Sequence, residues 1–422
     1  MPNEKEVFGL PQVIINFRTK STTAIARSAR GIMVMILKNE STNTSNYFRI
    51  NDVTDIPDEG LLDSNVDLIK KALLGSPLRV LVYTLPLDSV PEPTAEAGAG
   101  EGETSGDGAD LDLNMRGGAV RSLKMDQADI LRKIVNIKWN YICNPTGSTQ
   151  DQEDLATWVK TMRNIKRKTF KAVVANQAAD DKGVINFTTG NIRVVNPAYT
   201  DALLEAGGDK SKVPATIPQY LVYTAAQYTA RLTGVFAGLS LDRSATYFEL
   251  PEVVDCDAYE DIDEHINNGE LVLFDEQDGN GVKIARACNS LHTFTTDVGQ
   301  DFRFIKIIEA IDLIQDDIRD TFKGEYVGKV INDYNHKMLF IAAILVYFRG
   351  LKGNVLDASE TAKNFVDIDE AAQKDYAILH GDDVESMTVQ EIREYNTGTN
   401  VYLAGRITPV NAMEDLKIEF VM

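Results

Sequence analysis

The order of apolar and polar positions along the chain is that of a layered α/β protein. Residues 12–18, QVIINFR, place Val13, Ile15 and Phe17 in alternation with Ile14, Asn16 and Arg18. That is the two-residue period of a strand. The run GIMVMILK at 31–38 is apolar almost throughout, as a strand covered on both faces must be. A helix at 65–74, ended by Gly75 and Pro77, precedes the strand LRVLVYTL at 78–85. The alternation continues with a helix at 126–133, a strand at 136–143 and a helix at 151–164 with Asp151 as its N-cap. Strands at 170–176 and 183–189 follow, then a long helix of small residues at 218–239. Strands alternating with helices predict a mainly parallel sheet covered by helices.

The pattern changes in the second half. A compositional break at 255–269 leads into a hairpin turning at 278–281 and two helices at 302–322 and 333–351. The first of these places Phe304, Ile305, Ile308, Ile311, Ile314 and Ile318 on one stripe, which predicts core packing. The last 22 residues read as two strands, with Leu416, Ile418, Phe420 and Met422 alternating with Lys417, Glu419 and Val421. The fold class is therefore multidomain: an α/β region with a mainly parallel sheet, then an α+β region, with strand-like segments at both ends. A chain of 422 residues is also too long for one ordinary core. Residues 86–118, rich in Gly, Ala, Pro and acid and without an aromatic, bury too little apolar surface to offset ordering and are read as a flexible acidic insertion.

Charge changes the picture only once it is located. The formal charge is −20, which argues against nucleic-acid and anionic-membrane partners. Yet 12 acids lie between Glu249 and Val282 and 7 between Glu92 and Asp112, with no Lys or Arg in either stretch. The rest of the chain is nearly neutral. One basic stretch, Lys160, Arg163, Lys166, Arg167, Lys168 and Lys171, has no acid nearby and reads as a solvated helix face or as a docking surface for an acidic segment of a neighbouring copy. The three cysteines lack CxxC spacing and predict no disulfide framework. The chain opens on polar and acidic residues with no signal peptide. The longest apolar run, 338–348, is too short to span a bilayer, so no membrane insertion is expected.

Candidate chemistry is sparse. Neither GxGxxG nor GxxxxGK[ST] occurs, so no nucleotide cradle is predicted. Gly234 and Gly238 in GVFAG are read as close helix packing. His265, His292, His336 and His380 form no HExxH, the pair Cys288 and His292 is read as structural, and DEQDGNG at 275–281 fails the calcium-loop pattern. Acid pairs such as Asp316–Asp317 and Asp382–Asp383 have the chemistry of general acids and bases, and exposed helix faces and caps explain them equally well. The expectation is no catalytic residue, no cofactor and no metal.

Two apolar, strand-like termini make sense only if each completes a sheet, in its own fold or in another subunit. GLPQVIINFRTKSTTAIARSARGIMVMILK, SATYFELPEVVDCDAYEDIDEHINNGELVLF, VKIARACNSLHTFTTDVGQDFRFIKIIEAIDLIQDDI, YVGKVINDYNHKMLFIAAILVYFRGL and GTNVYLAGRITPVNAMEDLKIEFVM together resemble contractile tail sheath proteins of bacteriophages and of phage-tail-like particles of Gram-positive bacteria. The resemblance implies a structural subunit, made in the bacterial cytoplasm, that polymerises helically around an inner tail tube protein in a virion tail or phage-tail-like particle. Contraction from a metastable extended state then drives the tube through a cell envelope. The implied partners are further copies of the chain, the tube, the baseplate and the tail terminator. The implied division is an N-terminal arm at 1–21, an outer α/β region at 22–270, an inner tube-facing α+β domain at 271–400 and a C-terminal arm at 401–422. Val13, Ile15, Phe17, Leu416, Ile418 and Phe420 would carry strand exchange between subunits. Lys166, Arg167 and Lys168 would meet Asp261, Asp263 and Glu264 of a neighbour, and Lys323, Lys329 and Lys337 are tube-facing candidates. The rival reading is a cytosolic enzyme with a doubly wound domain, whose site would lie at the carboxyl ends of the strands.

Overall fold

The computed structural model describes residues 30–39, 47–86, 126–277 and 281–421, together with Ile25 and Gly279. The expected strand at 12–18 with Val13, Ile15 and Phe17, the insertion beyond Pro86, two residues of the 278–281 turn, and Met422 lie outside the described residues. Those described fall into two compact units, 30–316 with 409–421, and 317–408 with Ile25.

The first unit begins with β1 (Ile32–Asn39), β2 (Tyr47–Ile50), α1 (Asp63–Leu73) and β3 (Arg79–Pro86). It continues through α2 (Gln127–Ile134), β4 (Tyr141–Cys143), α3 (Thr149–Lys166), β5 (Lys171–Ala175) and β6 (Val184–Phe187). Then come β7 (Ile192–Val195), α4 (Pro197–Glu205), β8 (Tyr220–Tyr223), α5 (Ala225–Gly238), β9 (Val253–Asp255) and α6 (Ile262–Asn267). β10 (Glu270–Leu271), the hairpin β11 (Leu273–Asp275) and β12 (Val282–Ile284), and α7 (Ile305–Thr321) complete the series, the last turn of α7 belonging to the second unit.

Seven strands form one sheet in the order β10-β6-β5-β4-β1-β3-β2. Every pairing in it is parallel except β2 with β3. The apolar run of β1 splits by alternation. Met33, Met35 and Leu37 enter the core shared with α1 and α5, while Ile32, Val34 and Ile36 enter the core shared with α2 and α3. Helices cover both faces, as a parallel sheet requires. A smaller antiparallel sheet runs β8-β7-β9. α5 lies so close to α1 that a Cβ on Gly234 would stand 2.0 Å from the Ala72 carbonyl oxygen, and one on Gly238 1.8 Å from that of Gly75. The glycines are there for backbone contact.

The second unit holds α8 (Tyr334–Leu351), β13 (Phe365–Ile368), α9 (Glu370–Leu379), α10 (Val389–Glu394) and β14 (Leu403–Arg406). β13 and β14 pair as an antiparallel ribbon.

Several local expectations are corrected. The helix expected at 218–239 is a strand followed by a helix. Tyr220, Leu221, Val222 and Tyr223 pair on β7, and Thr224 then caps α5 in a reciprocal box with Gln227. The cap of α3 is Ser148, with Asp151 at the third helical position returning the bond to the Ser148 amide at 2.7 Å. The strand expected at 136–143 shrinks to three residues, because the Trp139 indole donates to the Ile134 carbonyl at 2.9 Å and fixes an irregular approach. Of the two strands expected at the chain end, β14 forms, and residues 411–421 carry no regular secondary structure.

Candidate assembly surfaces

The end of the chain breaks the ordinary rule of apolar burial. Leu416 is 83% exposed, Ile418 60% and Phe420 85%. Among the described residues, no backbone–backbone hydrogen bond engages 411–421. A segment with this much exposed apolar surface, and no such bond among the described residues, is a template for another sheet edge.

The basic stretch divides on folding. Lys160 donates to the Ala179 carbonyl at 2.8 Å and Lys168 to that of Val135 at 2.7 Å. Lys166 and Arg167 are exposed at the end of α3, where Arg167 takes the left-handed conformation (φ 54°) that ends the helix. Arg163 and Lys171 turn inward instead and are buried. Arg163 grips Asp312 with two parallel bonds of 2.9 and 3.0 Å, and Lys171 meets Asp312 at 2.8 Å and Glu309 at 2.7 Å. Arg30 adds a bond of 2.8 Å to Glu309 and one of 3.3 Å to Asp316, the Tyr141 hydroxyl donates to Glu309 at 2.5 Å, and Thr169 donates to Asp316 at 2.7 Å. The six stretch residues therefore do not form one surface.

Three cations and three acids thus close a buried cluster between α7 and the amino ends of β1, β4 and β5. Burial alone would raise the Glu309 carboxyl, but Arg30 and Lys171 outweigh it and hold the group far below the usual carboxylate range. At Asp312 burial is likewise outweighed, by Lys171 and Arg163. Asp316 and Asp317 are both buried, not exposed as expected, and Asp317 accepts from the Tyr347 hydroxyl at 2.6 Å. Sequence reasoning missed this cluster because the apolar stripe of α7 drew the core to one face. The signal was present in Glu309, Asp312 and Asp316, which recur at helical spacing on the other face.

Asp261, Asp263 and Glu264 are exposed around the start of α6, with Asp261 accepting from the Glu264 amide at 3.0 Å. In the second unit Lys323 and Lys329 are exposed. Lys337 is buried, and its ammonium donates to Gln373 at 2.8 Å and Thr397 at 3.2 Å, so it presents no surface charge.

The carboxyl ends of β1 and β4, where a doubly wound enzyme keeps its site, hold amides spent on fixing loops. Gln152 donates to the Asn144 carbonyl at 2.6 Å, Gln127 to that of Asp151 at 2.8 Å and Asn65 to that of Lys38 at 2.9 Å. Cys288 is buried with its thiol pushed up to about 12 by that burial, which withholds the thiolate a nucleophile needs. Among the described residues, no group of His, Cys, Asp or Glu is placed to hold a metal ion, and no helix is long and apolar enough to cross a membrane.

The phage tail sheath protein central domain matches residues 122–290, and the phage tail sheath C-terminal domain matches 297–422. The tail sheath protein of Clostridium phage phiCD119 is 29% identical over 98% of this chain and 99% of its own length. The phage-like element PBSX protein XkdK of Bacillus subtilis is 27% identical over 72% of this chain and 60% of its own. In structure, a sheath tail protein of Desulfitobacterium hafniense superposes with a TM-score of 0.59 at 21% identity, over 85% of this chain and 94% of its own. A chain of the anti-feeding prophage baseplate superposes with a TM-score of 0.57 at 12% identity, over 99% of each chain. Both structures share the fold. With two sheath domains matched in series across most of its length, and a viral sheath protein aligned from end to end, the chain belongs to the phage tail sheath protein family, a family of structural tail proteins.

Proposed function

We propose that the chain is the repeating subunit of a contractile sheath in a phage tail or phage-tail-like particle, made in the bacterial cytoplasm. Copies polymerise helically around an inner tail tube, bounded by a baseplate and a tail terminator. The observation that carries this reading is the end of the chain, where Leu416, Ile418 and Phe420 stand exposed in alternation with polar residues. The ribbon β13–β14 offers a receptor: two strands alone are marginal, and arms from neighbouring copies, the last residues 416–422 of the C-terminal segment and the N-terminal 1–21 with Val13, Ile15 and Phe17, would widen it into a stable sheet. Exchange of that kind is heterologous and generates an open helical polymer. On this reading residues 22–270 lie outside and 271–400 line the tube, with Lys323 and Lys329 facing it.

Contraction would draw its energy from new contacts between copies. At ~25 cal/mol per Å2, a few hundred Å2 of extra apolar burial per subunit yields several kcal/mol, multiplied along the tail. The test is electron microscopy of the purified chain with and without 416–422. The full chain is expected to form helical tubes, and the truncated chain a folded monomer. Normal tubes from the truncated chain would overturn strand exchange.

A further inference from the structure

The segment that precedes the exposed arm is held to the body of its own subunit, most firmly at Glu414. Glu414 has only 7% of its side chain exposed, yet Met413 before it is fully exposed and Leu416 after it is 83% exposed. Its carboxylate accepts from the hydroxyls of Ser244 and Thr246, each at 2.9 Å, and lies 3.5 Å from the Arg286 guanidinium. Arg286 also reaches Asp415 at 2.6 Å. Four residues before Glu414, Lys306 donates to the Val410 carbonyl at 3.0 Å. Among the described residues, no comparable side-chain bond is made beyond Asp415.

A carboxylate does not stay buried between two exposed apolar neighbours for packing; charge-assisted hydrogen bonds hold it. We propose that the seat formed by Ser244, Thr246 and Arg286 is a positioning site for assembly. By pinning Glu414 it fixes where the terminal arm leaves its own subunit, and so sets which residues of the arm meet the neighbouring copy. Register matters because a slip of one residue turns Leu416, Ile418 and Phe420 to the wrong face. The inference rests on the reading that 416–422 pairs with another copy.

The experiment uses the full chain in a Cys256→Ser background, which leaves two buried cysteines, with a nitroxide attached at Met413→Cys. Glu414→Ala, Glu414→Gln and deletion of 416–422 are compared by label mobility, melting temperature and yield of ordered tubes. Glu414→Ala is expected to keep the melting temperature, free the label and cut ordered tubes roughly tenfold or more, the scale set by losing two bonds to a charged group. Glu414→Gln keeps an acceptor for both hydroxyls and should recover most of that loss. If Glu414→Ala assembles like the parent while the deletion does not, the seat is not a positioning site and strand exchange stands. If the deletion itself assembles normally, the underlying reading fails. Should Glu414→Ala unfold the body, Ser244→Ala, which removes one donor and leaves the seat otherwise intact, decides by the same readouts.

Discussion

Asp312 shows how much one side chain can hold. It neutralises both Arg163 and Lys171 inside the protein, and removing one partner of such a group strands the other charges in a poor solvent. Asp312→Asn is expected to cost ~3–5 kcal/mol, read as a lower denaturant midpoint. The chain's two tryptophans report on this place directly. Trp139 and Trp158 both stack on Phe170, at 4.1 and 5.1 Å, and Arg163 bonds the Phe170 carbonyl. Acid should act on the same cluster. Glu309 and Asp312 are held below their ordinary range, so their contribution is complete above the unfolded value of about 4 and is lost as pH falls through the folded values. The pH dependence of stability below about pH 5 should be steeper in the parent than in Asp312→Asn.

At the scale of elements, the contact between α1 and α5 is made of backbone. Gly234 meets the carbonyl of Ala72, which no rotamer change can move aside. Gly234→Ala must push the helices apart and should cost ~1–3 kcal/mol by overpacking, seen as a lower thermal midpoint with helix content retained by circular dichroism. The reading of GVFAG as helix packing was open to sequence because two glycines four apart lie on one helix face. The start of the same helix was not. Residues 219–224 hold no Gly or Pro to separate strand from helix, and the pairing partner that makes Tyr220–Tyr223 a strand, β7, lies well back along the chain at Ile192–Val195. Pairing at a distance overrides local propensity.

For the whole molecule, the charge that matters is what folding leaves outside. Of the basic stretch, only Lys166 and Arg167 are exposed, while Asp261, Asp263 and Glu264 all are. If these two groups meet between copies, reversing Lys166 and Arg167 to Glu should weaken tubes, and the parent's tubes should loosen as salt shortens the screening length to about 3 Å near 1 M. A salt-independent assembly, unchanged by the reversal, would remove the charge contact from the account. Lys168 is best left in place, since its bond to Val135 serves the fold.

The sequence by itself determined the alternation of strands and helices, the parallel sheet covered on both faces, the glycine contact and the apolar rhythm of the last residues. These are written in periodicity and composition, which act over a few neighbours. Only the tertiary structure decided that Arg163 and Lys171 are core residues, that Lys337 is no surface charge, and that Glu414 is seated while Leu416 is not. Each depends on a partner far along the chain: Asp312 for the first pair, Gln373 and Thr397 for Lys337, Ser244 and Arg286 for Glu414. A charge can be buried only where its counter-charge arrives, and that is settled by how the chain folds back upon itself.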